Sequence, residues 1–249
     1  LQAIEEHGSS IALIMLGGVN YYTGQAFDMR SITAAAHRVG AKAGYDLAHA
    51  AGNLLLSLHD WDVDFAVWCS YKYLNSGPGG VGGAFVHERW ADSPTLPRLA
   101  GWWGYDKKTR FLMRSGFNPM HGAAGWQLSN AQVIPMAFHK ASLDIFDEAG
   151  MTDLRQKSER LTGFLDFLIR DNIKNSKAHD INLITPQEAA ERGAQLSIRV
   201  KAGGKDLFSR ITSRGVVADW REPDVIRVAP VPLYNTFEEA YHFAHILFS

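Results

Sequence analysis

Arg30-Ser-Ile-Thr-Ala-Ala-Ala-His-Arg-Val39, then Gly40, then Ala43-Gly-Tyr-Asp-Leu47 is the stretch on which the fold turns. The first ten residues read as a helix stopped by Gly40, and the last five as a short strand. Upstream, Ile11-Ala-Leu-Ile-Met-Leu16 is a continuous apolar run ending at Gly17-Gly18, the pattern of a strand covered on both faces. Together they make a β-α-β unit. A helix expected around Gly52 to His59, followed by strands over Phe65 to Cys69 and Gly83 to His87, continues the alternation and argues for an open, mostly parallel α/β sheet. Ligands of such sheets gather beyond the carboxyl ends of the strands. Gly17-Gly18, Asp46 to His49 and Ser70 to Lys72 are therefore expected to share one crevice.

Beyond Gly125 the texture changes. Two long helices are expected over Asn130 to Ala149 and Met151 to Asn172, broken near Gly150. Strands over Gln195 to Val200, Gly215 to Ala218 and Val225 to Val228 follow, with a helix over Asp206 to Ser213 among them and a last helix over Thr236 to Phe248. This predicts a large-domain portion over 1–140 and a smaller α/β domain over 141–249. A chain of 249 residues, 46% hydrophobic and 20% charged, can bury a core, which excludes disorder and fibrous repeats. Its net charge of −1 offers no positive field for a nucleic-acid backbone. No run approaches the ~18 apolar residues of a membrane span. The single cysteine, Cys69, leaves no intramolecular disulfide or multi-cysteine metal site and agrees with a reducing cytoplasm, and no His-Glu-x-x-His spacing supports zinc. The opening Leu1-Gln-Ala-Ile-Glu-Glu reads as the end of an amphipathic helix without a starting Met, so an N-terminal part is expected to be missing.

Chemistry concentrates in Cys69-Ser-Tyr-Lys-Tyr-Leu-Asn-Ser-Gly-Pro-Gly-Gly-Val-Gly-Gly83. Lys72 follows a buried-looking strand, and a lysine shielded from water is poorly solvated as a cation; the neutral amine is the form that attacks an aldehyde to give a Schiff base. The alternative is a snorkelling lysine whose stem packs while its head reaches water. Asp46, 26 positions earlier at the end of the preceding strand, could keep the ring nitrogen of pyridoxal phosphate protonated, or could merely cap a turn. His49 could contact the same ring or cap local backbone. The glycines from Gly77 to Gly83 allow close backbone approach, suiting a cofactor-wrapping turn or a subunit contact, but match no phosphate-loop signature. Trp102-Trp103 could meet an aromatic substrate or fill a core or an interface. Arg227, inside an apolar strand, needs an anionic partner: a substrate carboxylate or a structural Asp or Glu.

Taken together, these residues resemble the kynureninase family of pyridoxal 5'-phosphate enzymes, which has the aspartate-aminotransferase fold (fold type I). The resemblance is carried by Tyr22-Thr-Gly-Gln25, Asp46-Leu-Ala-His-Ala50, His59-Asp-Trp61, Val63-Asp-Phe-Ala66, Trp68-Cys-Ser-Tyr-Lys-Tyr-Leu-Asn75, Gly101-Trp102, Leu128-Ser-Asn130 and Arg227-Val-Ala-Pro-Val-Pro-Leu-Tyr-Asn235. It implies that Lys72 holds the cofactor covalently, that Asp46 faces the pyridine nitrogen, and that Tyr71 and His49 are cofactor contacts, with Tyr71 on the phosphate and available as a proton carrier. It also implies a homodimer in which Trp102 and Asn130 reach the phosphate and substrate region from the neighbouring subunit, while Arg227 binds the substrate carboxylate. The implied reaction is hydrolysis of L-kynurenine or 3-hydroxy-L-kynurenine to L-alanine and anthranilate or 3-hydroxyanthranilate. Two departures stand out: Gly17 replaces a serine common at the first strand end, and the family's long N-terminal portion, which supplies the phosphate-cradling loop and the aromatic stacked on the ring, is absent. Competing readings are an aminotransferase, a catalytically silent fragment, and a cysteine desulfurase, the last disfavoured because Cys69 sits in an apolar strand.

Overall fold

In the computed structural model, which describes residues 1–93, 96–176 and 180–249, Asp28 starts the helix that the alanine-rich stretch predicts. Its carboxylate accepts the Ser31 amide at 3.0 Å, an N-cap that satisfies one of the otherwise unpaired amides of the first turn. Elements of the first half are α1 (Gln2–His7), β1 (Leu13–Gly17), α2 (Met29–Arg38), β2 (Lys42–Asp46), β3 (Phe65–Trp68) and β4 (Gly83–Val86). They form one sheet in the order β1-β2-β3-β4, with the first three parallel and β4 antiparallel. The small residues of α2 let it lie close to β2: Thr33, Ala35 and Ala36 are buried, and the buried Tyr45 hydroxyl of β2 donates to the Met29 carbonyl at 2.9 Å.

The second half contributes α3 (Val133–Ala149), α4 (Met151–Ser176), β5 (Ile181–Leu183), β6 (Leu196–Val200), α5 (Gly204–Ser213), β7 (Asp219–Arg221), β8 (Val225–Val228) and α6 (Phe237–Phe248). Its sheet is wholly antiparallel, in the order β5-β6-β8-β7. Leu161, Leu165 and Ile169 recur at four-residue spacing along one face of α4 and pack with Leu196 and Ile198 of β6, Ile226 of β8, Ile211 of α5 and Leu247 of α6 in one core. Thr236 and Glu239 form a reciprocal capping box at the start of α6. Compactness divides the chain into one unit comprising Leu1–Gly18, Asp28–Ala51 and Leu56–Asp144, and another comprising Val19–Phe27, Gly52–Leu55 and Ile145–Ser249.

Three expectations need correction. No helix forms around Gly52 to His59: Gly52 sits at φ +77°, and Asn53 commits its side-chain oxygen to the Ala194 amide at 2.9 Å. The strand expected over Gly215 to Ala218 lies instead at Asp219–Arg221, because Gly215, at φ +88°, ends α5, and Val217 projects wholly into solvent. Strand β1 is not covered on both faces: it is an edge strand, and Leu13, Met15 and Leu16 are 41–50% exposed. Apart from β2, no described strand pairs with it.

Candidate active site

Parallel strands β2 and β3 end at Asp46 and Trp68, side by side in the sheet, so the residues that follow each strand emerge at the same edge. Lys72 is half-buried there, and its Nζ lies 3.0 Å from His49 Nε2 in a hydrogen bond. The His49 ring in turn meets Tyr73 edge-on, with centroids 6.2 Å apart. The structure thus brings together the lysine and the histidine that follow two different strands. Asp46 is exposed, and one of its oxygens accepts the Ala48 amide at 2.9 Å. It is therefore a turn-forming residue, as one reading of the sequence held, with its second oxygen left over for another partner.

Tyr71 is 53% exposed. Its hydrogen bond with the Cys69 thiol, the charge of that group and, to a lesser degree, burial and the Asp46 carboxylate hold the phenol above its ordinary value near 10. At neutral pH it is a hydrogen-bond donor, suited to an anionic oxygen and ill-suited to act as a base. Cys69, directly after β3, is half-buried and engaged with Tyr71.

Trp102 is 46% exposed, its ring edge-on to Phe111 at 5.6 Å, and Asn130 is exposed beside Ser129. Gly101 brings this segment against its neighbour: a Cβ there would sit 2.3 Å from the Leu128 Cα, so no other residue fits. In the second unit Arg227 already has the structural partner that the sequence left open. Its Nε donates to Asp219 at 2.6 Å, a terminal nitrogen pairs with the same carboxylate, and the other terminal nitrogen donates to the Tyr21 carbonyl at 2.6 Å. Three of its five N–H groups are thereby used. Sequence reasoning missed Tyr73 as the neighbour of His49, and it missed the buried Ser70 and Ser76 on either side of Lys72.

An apolar recess of about 450 Å³ opens elsewhere on the same unit, between Lys42, Val67, Val86, Trp90 and Trp126. Neither Lys72 nor Asp46 borders it. Among the described residues no group of three or more His, Cys, Asp or Glu side chains could hold a metal ion, and no helix is long and apolar enough to cross a membrane.

Comparison with known proteins places this geometry. Residues 154–247 match the family model for the kynureninase C-terminal domain. The chain is 58% identical over 243 residues to the kynureninase of Koribacter versatilis, covering 98% of this chain and 56% of that protein. It is 52% identical over 247 residues to that of Flavobacterium johnsoniae, covering 99% and 58%. The chain thus spans a little over half the length of these relatives. Among solved structures, the cysteine desulfurase of Thermococcus onnurineus superposes with a TM-score of 0.77 at 14% identity, covering 99% of this chain and 62% of that one. The alanine–glyoxylate aminotransferase of Nostoc sp. gives 0.72 at 18%, covering 99% and 63%. At such low identity these two establish the shared fold alone, which is that of the fold-type-I enzymes. By sequence, nearly the whole of this chain is similar to a little over half of each of these kynureninases.

Proposed function

We propose that the protein hydrolyses L-kynurenine or its 3-hydroxy form, cleaving the Cβ–Cγ bond to give L-alanine and anthranilate or 3-hydroxyanthranilate, with pyridoxal phosphate held at Lys72. One observation carries the reading: the half-buried Lys72 amine, hydrogen-bonded to His49 beyond the carboxyl ends of β2 and β3, in a chain at least 52% identical to proteins named kynureninase. An amine, a carboxylate and a protonated phenol gathered at one sheet edge are a donor set that fits an aldehyde-bearing pyridine phosphate. When bound, that cofactor supplies an aldehyde for covalent attachment and an electron-withdrawing protonated ring.

The chain's own residues then divide the work. Lys72 Nζ would anchor the cofactor, and as a free amine it would move the α-proton of the substrate. His49 Nε2 orients that amine. Asp46, with one oxygen fixed by Ala48, would hold the ring nitrogen with the other. Tyr71 donates to the phosphate. Replacing Tyr71 by phenylalanine is expected to weaken cofactor affinity about tenfold, the worth of one hydrogen bond to a charged group, read by absorbance titration. Unchanged affinity would remove Tyr71 from the phosphate. Arg227 is assigned to the substrate carboxylate, using the N–H groups that Asp219 and Tyr21 leave free.

The protein is further read as a cytoplasmic homodimer, in which Trp102 and Asn130 serve the site of the second copy. Supporting the dimer, Leu99, Trp102, Phe111 and Met113 are 46–77% exposed within the stretch 99–113, apolar area that a second copy would cover. The desulfurase alternative needs a mobile nucleophilic cysteine, whereas Cys69 follows a strand directly and is half-buried. The test is to supply the intact protein with pyridoxal phosphate and kynurenine. Stoichiometric anthranilate and alanine from a particle of twice the protomer mass are expected. Amino-group transfer to a keto acid without anthranilate would favour the aminotransferase, and no turnover would overturn both.

A further inference from the structure

We propose that Ser70 and Ser76 act as positioning residues for Lys72: a buried, directional pair of hydroxyls that closes the loop carrying the lysine and so fixes where its amine stands. The proposal deepens the reading of Lys72 given above and rests on it.

After β3 the chain must turn out to Lys72 and come back to begin β4 at Gly83. Ser70, two residues before the lysine, is fully buried, and Ser76, four residues after it, is 2% exposed. Their Oγ atoms are 2.7 Å apart, and Ser70 Oγ lies 2.5 Å from the Val81 carbonyl oxygen. A carbonyl can only accept, so the single hydroxyl proton of Ser70 goes to Val81. Ser76 must then be the donor to Ser70. The hydrogen bonds therefore run one way, from Ser76 to Ser70 to Val81, joining the chain on both sides of the lysine.

Backbone bonds reinforce the closure: the Ser76 amide donates to the Ser70 carbonyl, and the Asn75 amide to the Lys72 carbonyl, both at 3.1 Å. From outside, Ser142 Oγ of α3 donates to the Leu74 carbonyl at 2.5 Å. Gly80 makes the pair possible, because a Cβ there would fall 1.9 Å from Ser76 Oγ and 2.8 Å from Ser70 Oγ. Two alanines would fill this space without placing hydroxyls out of water. What hydroxyls add is direction, since a hydrogen-bond chain admits one arrangement where apolar contact admits several.

The direction predicts an asymmetry. Ser70→Ala strands two groups, the Val81 carbonyl and the Ser76 hydroxyl. Ser76→Ala leaves the bond from Ser70 to Val81 intact and strands none. In the intact protein without cofactor, the rate at which acetic anhydride modifies Lys72, read by peptide mass spectrometry, is expected to change about fivefold or more in Ser70→Ala. It should stay within about twofold of wild type in Ser76→Ala, and the double variant, which strands only the Val81 carbonyl, should fall between Ser70→Ala and wild type, a non-additive result. Pyridoxal phosphate affinity should follow the same order. Equal effects of the two single variants, additive effects, or a lowered thermal midpoint with unchanged Lys72 labelling would overturn the proposal and leave a merely structural pair. Should Ser70→Ala fail to fold, Ser70→Cys, which keeps a weak donor in similar volume, takes its place, with at least about a twofold change expected and none overturning the proposal. If added pyridoxal phosphate does not protect Lys72 of the wild type from acetylation, the functional reading fails, and the labelling ratios still decide the serine pair.

Discussion

Replacing Lys72 by alanine is expected to lower kynurenine cleavage by about 10³-fold or more and to remove the protein-bound visible absorption, which borohydride bleaches as it fixes the cofactor to the wild-type lysine. The size follows from the two tasks assigned to one nitrogen. In the proposed function covalent attachment would place the cofactor and the same amine would move the α-proton, a step that by itself contributes about 10²–10⁴-fold in enzymes that use a positioned base. Groups that work as a unit lose most of their effect with the first deletion, so His49→Ala on top of Lys72→Ala should cost little more. A small primary amine added to the buffer should restore part of the activity, because what the variant lacks is an amine and the space for one. Activity within tenfold of wild type, or a borohydride-fixed cofactor still present in Lys72→Ala together with turnover, would refute the assignment.

Removing the Asp64 carboxylate should cost stability rather than chemistry. Asp64 is 3% exposed just before β3, at the end of the strand opposite to Lys72. Its two oxygens accept from the Ala43 amide at 2.7 Å, Trp90 Nε1 at 2.8 Å, His37 Nε2 at 2.9 Å and Arg89 Nε at 3.1 Å, so one carboxylate joins α2, β2 and the 88–90 turn. Burial by itself would push this carboxyl up, but the bonds from Ala43, His37 and Trp90 and the charge of Arg89 outweigh it and hold the group below the usual carboxylate range. Asp64→Ala leaves the Ala43 amide and Trp90 Nε1 without this acceptor, while Arg89 and His37 keep Asp62 as a partner, and about 2–4 kcal/mol of lost stability is expected from denaturant unfolding at neutral pH. The folded group titrates below its unfolded value near 3.9, so its contribution is complete above that value and is lost as the pH falls through the lower, folded one. Wild type should therefore weaken steeply below about pH 4, and the variant less steeply. A loss under about 1 kcal/mol at neutral pH, or parallel acid profiles, would contradict this account.

Much of the architecture was written into local pattern. Alanine-rich α2 between Asp28 and Gly40, and the apolar runs of β3 and β8, carry their own periodicity and their own stop signals. Those signals act within a few residues, which is why they can be read without a partner in view. Leu54-Leu55-Leu56 and Val216-Val217-Ala218 misled for the complementary reason. Their apolar character suggested a helix and a strand, but a buried Asn53 amide and a glycine in the left-handed region settled the backbone first. Strand β7 is short and charged, and it pairs because Asp219 lies opposite Arg227, a match that exists only across the ladder.

The candidate site divides the same way. Sequence alone determined that a lysine, an aspartate and a tyrosine stand at the ends of neighbouring strands, since strand order and the direction of parallel pairing follow from the β-α-β alternation. Only the tertiary structure decided that His49 reaches the Lys72 amine, that Asp46 spends one oxygen on its own turn, that Arg227 is already held by Asp219, and that Ser70 and Ser76 meet beneath the lysine loop. Each of these is a contact of about 3 Å between side chains or a committed lone pair. Such contacts depend on rotamers and close approach between segments, which neither spacing nor composition encodes.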